Sequence, residues 1–382
     1  MSPQHRTSPA AFIRHATNVA SFYGFRPARE LEQAARDRLQ KRAGAHSFDA
    51  VARVCATCLL MRPGEPALAY WASPQPLYLP HDLSARETAE FGLQVVGAND
   101  ALGEVLLIKT LTAIATEWGT TVARVRVNAA GDRDSQQRFT RELSLYLRKH
   151  ADALSGACRA AVLEDPLAAY RCAHAECREV LAMAPRPMNF LSEKSRTHFK
   201  LVLEHLENLG LPYEVDDLLA GDPREAHFSF AIDLDGGDAT VLRLSGGRFD
   251  EFLRRTTGRK EGSGVAGSIY FRKAGAARAT FKALPKAAAP KVYFVQLGTR
   301  AKLQGLQVVD ILRRAQIPLR QSFDSAHLSP QLNAAKALGV THMLIMGQRE
   351  ALDGTVIVRS TDNSSQTTIV VSELPRFLRG LK

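Results

Sequence analysis

The hexapeptide Ser245-Gly246-Gly247-Arg248-Phe249-Asp250 gathers residue types that can hold an anion: two adjacent glycines, a guanidinium and, two residues on, a carboxylate. Residues 239–244 have the β-branched and aliphatic content of a strand, and residues 251–255 read as a short helix. The spacing therefore predicts Gly246 and Gly247 at a strand-to-helix corner. Two residues without Cβ let the backbone approach a ligand or take a positive φ, and the helix start behind them offers free N–H groups at the positive end of its dipole. Such a corner suits an anionic or nucleotide ligand; an ordinary tight turn is the plainer reading. Arg86 and Glu87 form a second charged pair that could bind ATP or simply face solvent. His198 and His227 read as a helix-surface and a strand residue rather than as catalysts. Cys55-Ala-Thr-Cys58 has zinc or redox spacing, with Cys172 and Cys177 as its natural second pair. It lies in an apolar, strand-like stretch, where thiols serve as small core residues, and no metal site is assigned.

The elements that must position these groups are bounded by composition. A chain of 382 residues, 45% hydrophobic and 23% charged, has the make-up of a globular protein and can bury the cores of two domains. No apolar run approaches the ~18 residues a membrane span needs, and residues 1–6 lack a charged-then-apolar signal layout, so the expected location is the cytoplasm. The formal net charge of +11 and pI near 9.6 favour polyanionic partners, nucleic acid first among them. Five cysteines, an odd number, do not make a disulfide scaffold.

Along the chain, residues 10–40 are helical in pattern with a break at 24–27, residues 51–61 are apolar, and residues 67–71 read as the start of a helix. Residues 91–97, 100–118 and 122–127 run strand, helix, strand. Residues 134–184 read as helical throughout, and residues 195–209 as an amphipathic helix stopped by Gly210. Segments 228–234 and 239–244, joined by Asp235-Gly-Gly-Asp238, form a hairpin signal and hence an antiparallel pair. Ala, Lys and Pro dominate 273–291, which reads as a linker. Beyond it, strands and helices alternate as in a mixed sheet covered on both faces. The expected architecture is α+β: an antiparallel sheet with helices over residues 1–273, a linker over 274–290, and a smaller α/β domain over 291–382. That last segment holds 12 Lys and Arg against 6 Asp and Glu, an excess that favours phosphate contacts. Arg313 and Arg314, late in one helix, and Arg320, after a short strand, are its candidate RNA contacts, since a planar guanidinium can hold phosphate oxygens in pairs.

A succession of motifs adds a resemblance. Met61-Arg62-Pro-Gly-Glu65 looks like the Leu-Arg-Pro-Glu-Gly-Thr segment that helps hold a substrate amino acid. Arg86-Glu87-Thr-Ala-Glu-Phe-Gly-Leu-Gln94-Val-Val-Gly97 is similar to the end of class II motif 2, Gly246-Gly247-Arg248-Phe-Asp250 resembles a Gly-Gly-Arg-Tyr-Asp motif, and residues 264–272 look like a worn motif 3 ending in Arg272. In this order they resemble the histidyl-tRNA synthetase family of class II synthetases. Residues 292–296, 312–317 and 344–350 resemble the anticodon-binding domain shared by the histidine, glycine, threonine and proline enzymes. The resemblance implies Arg62, Glu65, Arg86, Glu87, Gln94, Gly246, Gly247, Arg248 and Arg272 as ligand-binding candidates. It also implies tRNA or other RNA as partner, a homodimer, and ATP with Mg²⁺ if the core is active.

The departures concern the chemistry. Carboxylate attack on the α-phosphate of ATP develops charge that fixed arginines and Mg²⁺ must meet. The family's Phe-Arg-x-Glu arginine has no counterpart in residues 76–85, and Arg-Gly-Leu-Asp-Tyr-Tyr is replaced by residues 221–229. The expectation is a synthetase-like paralogue with impaired catalysis and no assignable catalytic residue, binding RNA through its C-terminal domain and a nucleotide or amino acid in its core. The alternatives are an active histidine–tRNA ligase and a regulatory subunit like the synthetase-like partner of ATP phosphoribosyltransferase.

Overall fold

Strand alternation in the computed structural model sorts the larger part of the chain into one apolar and one polar sheet face. The structure describes residues 9–29, 33–42, 50–61, 66–73, 84, 88–219, 227–235, 241–272, 292–321, 328–363 and 365–381. Strands β1 (Arg26–Pro27), β2 (Ala67–Ser73), β3 (Thr88–Val96), β4 (Val122–Asn128), β5 (Tyr213–Val215), β6 (Ser229–Leu234), β7 (Val241–Arg248) and β8 (Gly264–Arg272) form an eight-stranded sheet in the order β1-β2-β3-β8-β7-β6-β4-β5. Only the two end pairs, β1 with β2 and β4 with β5, are parallel. The expected hairpin pairing is present as β6 against β7; most of its turn lies outside the described residues. The helices are α1 (Pro9–Phe22), α2 (Gln33–Arg42), α3 (Ala50–Leu60), α4 (Leu102–Trp118), α5 (Arg133–Lys149), α6 (Gly156–Glu164), α7 (Ala175–Ala182), α8 (Glu193–Asn208) and α9 (Asp250–Thr257).

Phe91, Leu93 and Val95 of β3, Phe230 and Ile232 of β6, and Val265, Ile269 and Phe271 of β8 share one face and pack with α4 and α1. Lying between that face, α1 and α8, α4 is buried almost all round, and its sequence is apolar apart from Glu104, Lys109, Glu117 and its threonines. It ends at Gly119, whose φ of 105° is the left-handed conformation a helix stop needs.

The structure corrects four local readings. Residues 67–71 are strand β2, paired along its whole length with β3, because Tyr70 and Trp71 are buried as a pleated pair rather than along a helix stripe. Residues 51–60 are helical, with buried Val51, Val54, Cys55 and Cys58 at the i, i+3, i+4, i+7 spacing of a helix stripe. The supposed continuous helix of 134–184 breaks into α5, α6 and α7. Ser155 caps α6 through its hydroxyl, and Asp165-Pro166 opens a separate 3₁₀ turn. Gly246 and Gly247 sit inside β7, opposite Gly267 and Ala266, and neither takes a positive φ. A Cβ on Gly246 would lie 2.2 Å from the carbonyl oxygen of Ala266, so glycine there serves the approach of β8, not of a ligand.

The C-terminal part has its own five-stranded mixed sheet, β10-β9-β11-β12-β13, built from β9 (Val292–Gln296), β10 (Leu319–Gln321), β11 (His342–Met346), β12 (Thr355–Ser360) and β13 (Gln366–Val370). β10, β9 and β11 are parallel; β12 and β13 continue antiparallel. Helices α10 (Thr299–Arg314), α11 (Leu328–Ala337), α12 (Gln348–Asp353) and α13 (Leu374–Gly380) accompany it. The expected linker lies outside the described residues, among which no helix is long and apolar enough to cross a membrane.

An ionic seam joins α10 to α1 and α4. Asp310 accepts from Tyr23 Oη, from Lys109 Nζ at 2.5 Å and from Arg313 Nη2 at 2.9 Å, while Arg313 also pairs with Glu117. Burial alone would raise the Asp310 pKa, but Lys109, Tyr23 and Arg313 overcome it and hold the carboxyl below its ordinary value. Arg313 is 2% exposed and lies over the Tyr23 ring. It therefore belongs to the interior, not to the RNA surface expected of it. Replacing it with alanine takes the partner from Glu117, leaves Asp310 with Tyr23 and Lys109 alone and empties a buried position, so Arg313→Ala is expected to destabilise the chain by about 3 kcal/mol in denaturant unfolding, against under about 0.5 kcal/mol for Arg314→Ala at the exposed neighbouring position. Equal effects of the two substitutions would remove the seam from the account.

Candidate functional site

The sheet face opposite α4 carries the chemistry. Cross-strand register places Trp71, Gly92, Ser268, Ser245 and Ala231 in one row, and Ser73, Glu90, Tyr270 and Arg243 in the next. Small residues keep the centre of this floor low: Gly92, Ala231, Gly247 and Ala266 add almost no side chain. Glu90 is 5% exposed and accepts from the hydroxyl of Ser268. A buried carboxylate on β3 and a guanidinium on β7 thus lie two strand spacings apart along one row. On the outer strands, Arg124 and Arg126 are neutralised by Glu214, Asp216 and Asp233.

The sequence candidates divide between the two faces. Gln94, Gly247 and Arg272 lie on the polar side; Gly246 and Arg248 belong to the α4 side. Gln94, fully buried, donates to Thr57 Oγ1 at 2.6 Å and so fastens α3 to the sheet. Arg272 is exposed at the end of β8, opposite Thr88. Arg62, Glu65, Arg86 and Glu87 lie outside the described residues.

Arg248 is taken up entirely by partners within the chain. Its Nε and Nη2 each donate at 2.6 Å to the two oxygens of Glu104 on α4, Nη1 reaches Asp250 at 3.2 Å, and the carbonyls of Ala98 and Asp100 take the remaining donors at 3.1 Å. All five guanidinium N–H groups are thereby engaged. Arg248 is 1% and Glu104 0% exposed. Burial opposes the charge on both, yet Arg248 and the hydrogen bonds depress the Glu104 carboxyl far below its usual range, and Asp250 with Glu104 raise the pKa of the guanidinium. His198, expected on a helix surface, points inward and donates Nε2–H to Glu104 Oε1 at 2.7 Å. Arg254 also approaches Asp250, at 3.8 Å, so two guanidiniums balance the two carboxylates and the cluster is closed on itself. The signal legible in the sequence was Glu104, an acid in the first turn of a largely apolar helix, which requires a buried cation.

Among the RNA candidates, Arg314 is exposed at the last turn of α10, where Arg379 donates to the carbonyl of Ala315 at 2.9 Å. Arg320 on β10 is half-buried. Its pKa is lowered first by burial and then by the neighbouring charge of Arg26 on β1, against a smaller opposing influence of Tyr70. The Cys55/Cys58 and Cys172/Cys177 pairs are far apart in packing: the first belongs to the α3–α9 core, the second to the α5–α7 helices.

An antiparallel-rich sheet with a polar face, followed by a smaller mixed sheet, is the α+β class expected of a synthetase-like body with an appended domain. Residues 291–381 match the anticodon binding domain family. Histidine–tRNA ligase of Bacillus velezensis is 26% identical over 326 residues, covering 84% of this chain and 77% of that protein, and that of Geobacillus thermodenitrificans is 28% identical over 321 residues, covering 83% and 75%. Over about four-fifths of its length the chain is similar to histidine–tRNA ligases, and residues 291–381 carry the anticodon binding domain. The crystal structure of apo S. aureus histidyl-tRNA synthetase is similar at a TM-score of 0.48 and 17% identity, over 96% of this chain and 94% of that one.

Neutralising Glu104 leaves a buried guanidinium with one carboxylate, so Glu104→Gln is expected to lose about 3 kcal/mol of stability near neutral pH. A carboxyl depressed in the fold contributes fully above its unfolded pKa and loses that contribution as pH falls towards the folded one. The gap between wild type and Glu104→Gln in urea unfolding should therefore hold above about pH 4.3 and narrow below it. A gap that stays constant into strong acid would contradict the ionised Glu104–Arg248 pair.

Proposed function

We propose that this chain is a histidyl-tRNA synthetase-like paralogue that binds tRNA through its C-terminal part and has lost most of its capacity to activate histidine. In this reading residues 1–273 form a body holding an amino acid or nucleotide on the polar sheet face, 274–290 a linker, and 291–382 the RNA-binding domain. A cytoplasmic homodimer belongs to the same reading, carried over from the family.

The observation that carries RNA binding, beside the family match of residues 291–381, is the Arg26–Arg320 pair. Arg320, half-buried on the edge strand of one sheet, is opposed by the charge of exposed Arg26 on the edge strand of the other, and a phosphate held between them would relieve that repulsion. Impaired activation is supported by Arg248: the arginine of the Gly-Gly-Arg-Phe-Asp motif has every donor taken by the protein and none left for ATP. ATP and Mg²⁺ enter the account only if the core is active.

Losing one preorganised charge donor typically slows such chemistry ~10²- to 10³-fold, so histidine-dependent pyrophosphate exchange is expected at least that far below ordinary synthetase rates. Exchange at an ordinary rate would instead identify an active histidine–tRNA ligase. For RNA, Arg320→Glu and Arg314→Glu should each weaken tRNA binding and reduce the slope of log affinity against log salt by about 0.7–0.9 per lost phosphate contact. Unchanged low-salt affinity in the double variant, with its melting temperature retained, would exclude this surface.

A further inference from the structure

Three of the five cysteines converge where sequence spacing did not pair them. The Sγ atoms of Cys158, Cys172 and Cys177 all lie within 4.8 Å of one another, and none forms a disulfide. Cys158 is in the first turn of α6, Cys172 follows the 3₁₀ turn Pro166–Arg171, and Cys177 is in the first turn of α7. His174, the N-cap residue of α7, brings its Nδ1 to 3.3 Å from Cys172 Sγ and makes no capping hydrogen bond that would hold its ring elsewhere.

We infer that Cys158, Cys172, Cys177 and His174 form a structural site for a thiophilic divalent cation of the zinc type. Three sulfurs and one imidazole are the donor set of closed tetrahedral zinc sites. With Zn–S bonds of about 2.3 Å, a tetrahedron puts its sulfurs about 3.8 Å apart, a distance the present grouping meets with small rotamer adjustments. The orienting contacts are in place. The backbone N–H of Ser155 donates to Cys177 Sγ at 3.4 Å, and the Ser155 hydroxyl accepts from the Cys158 N–H at 3.3 Å, so one residue fixes both helix starts that present the buried thiols. Such N–H to sulfur bonds set the direction of thiolate ligands. Cys158 and Cys177 are buried and His174 is exposed, so the imidazole closes the site from the solvent side. On binding, the three thiols release their protons to solvent and the cation gains three thiolates and a neutral imidazole.

The fold gives such a site a purpose. The α5–α7 unit has a core of its own, separate from that of the sheet and built from short helices and 3₁₀ turns. Small cores of that kind commonly depend on a covalent or metal crosslink. The cation would tie α6, the turn after it and α7 together at one point.

The test is metal analysis of the full chain purified without chelator or added metal. The inference expects about one zinc per chain, loss of the metal in Cys158→Ser and Cys177→Ser, and retention in Cys55→Ser and Cys58→Ser, whose thiols lie in another core. Cobalt(II) replacing zinc should give thiolate-to-metal charge transfer with tetrahedral ligand-field bands. His174→Ala should move those bands without abolishing the charge transfer, a readout that does not depend on whether cysteine variants fold. Absence of both zinc and the cobalt spectrum in the wild-type chain, or a disulfide among these three cysteines in the same preparation, would overturn the inference.

Discussion

A guanidinium sealed from water at the end of β7 sets the geometry of the whole N-terminal part. Removing such an ion from water costs several kcal/mol even after relaxation, and only complete satisfaction of its donors offsets that. Arg248 achieves it by drawing on four residues: Glu104 in α4, the carbonyls of Ala98 and Asp100 ahead of that helix, and Asp250 at the start of α9. Asp250 in turn accepts from the N–H of Gly264 at 2.9 Å, which fixes where β8 begins. The central strands, the helix beneath them and the turn into α9 are therefore registered by one residue. The polar floor of Glu90, Ser268, Tyr270 and Arg243 lies on the other side of those same strands, so its row alignment rests on a charge cluster it never touches.

What the sequence could say about this follows from which properties are local. The apolar period of α4, the stopped amphipathic run of α8 and the Asp-Gly-Gly-Asp hairpin are local patterns, and each element is present with the type expected. Ala67–Ser73 is not local: its two aromatics fit a helix stripe or a pleat equally, and only pairing with β3 decides. Gly246 and Gly247 invited a ligand reading because sequence shows that a Cβ is missing, not what would strike it; the answer is a carbonyl of the adjacent strand. The three-thiol cluster was hidden for the same reason, since Cys158 enters it from a different helix than the Cys172–Cys177 segment.

Arginines carry the same lesson in electrostatic form. Arg248, Arg313 and Arg320 are one residue type in three situations, separated by how many carboxylates each can reach. Arg248 has Glu104 and Asp250, Arg313 has Asp310 and Glu117, while among the described residues Arg320 has Arg26 as its charged neighbour. The first two are neutralised and buried; the third is the kind of cation that still gains from an outside anion. A sequence hint existed for Arg313, because Asp310 three residues earlier falls within the stripe of α10 that also holds Leu303, Leu306 and Val309. Charges inside an apolar stripe face a partner rather than solvent.

That partner explains why the seam is ionic. An apolar contact between α10 and α4 would tolerate several rotations of one helix on the other, since hydrophobic burial is non-directional. Asp310 accepts from Tyr23, Lys109 and Arg313 together only in one arrangement, and displacing α10 strands a half-dehydrated carboxylate. The ion pairs thus add little net stability relative to an apolar seam and instead select one orientation. In that orientation the end of β10 comes beside β1, and Arg320 beside Arg26. The anion-seeking pair at the junction is accordingly a product of the seam, and the RNA-binding reading inherits its geometry from Asp310 and Arg313 even though neither reaches the surface.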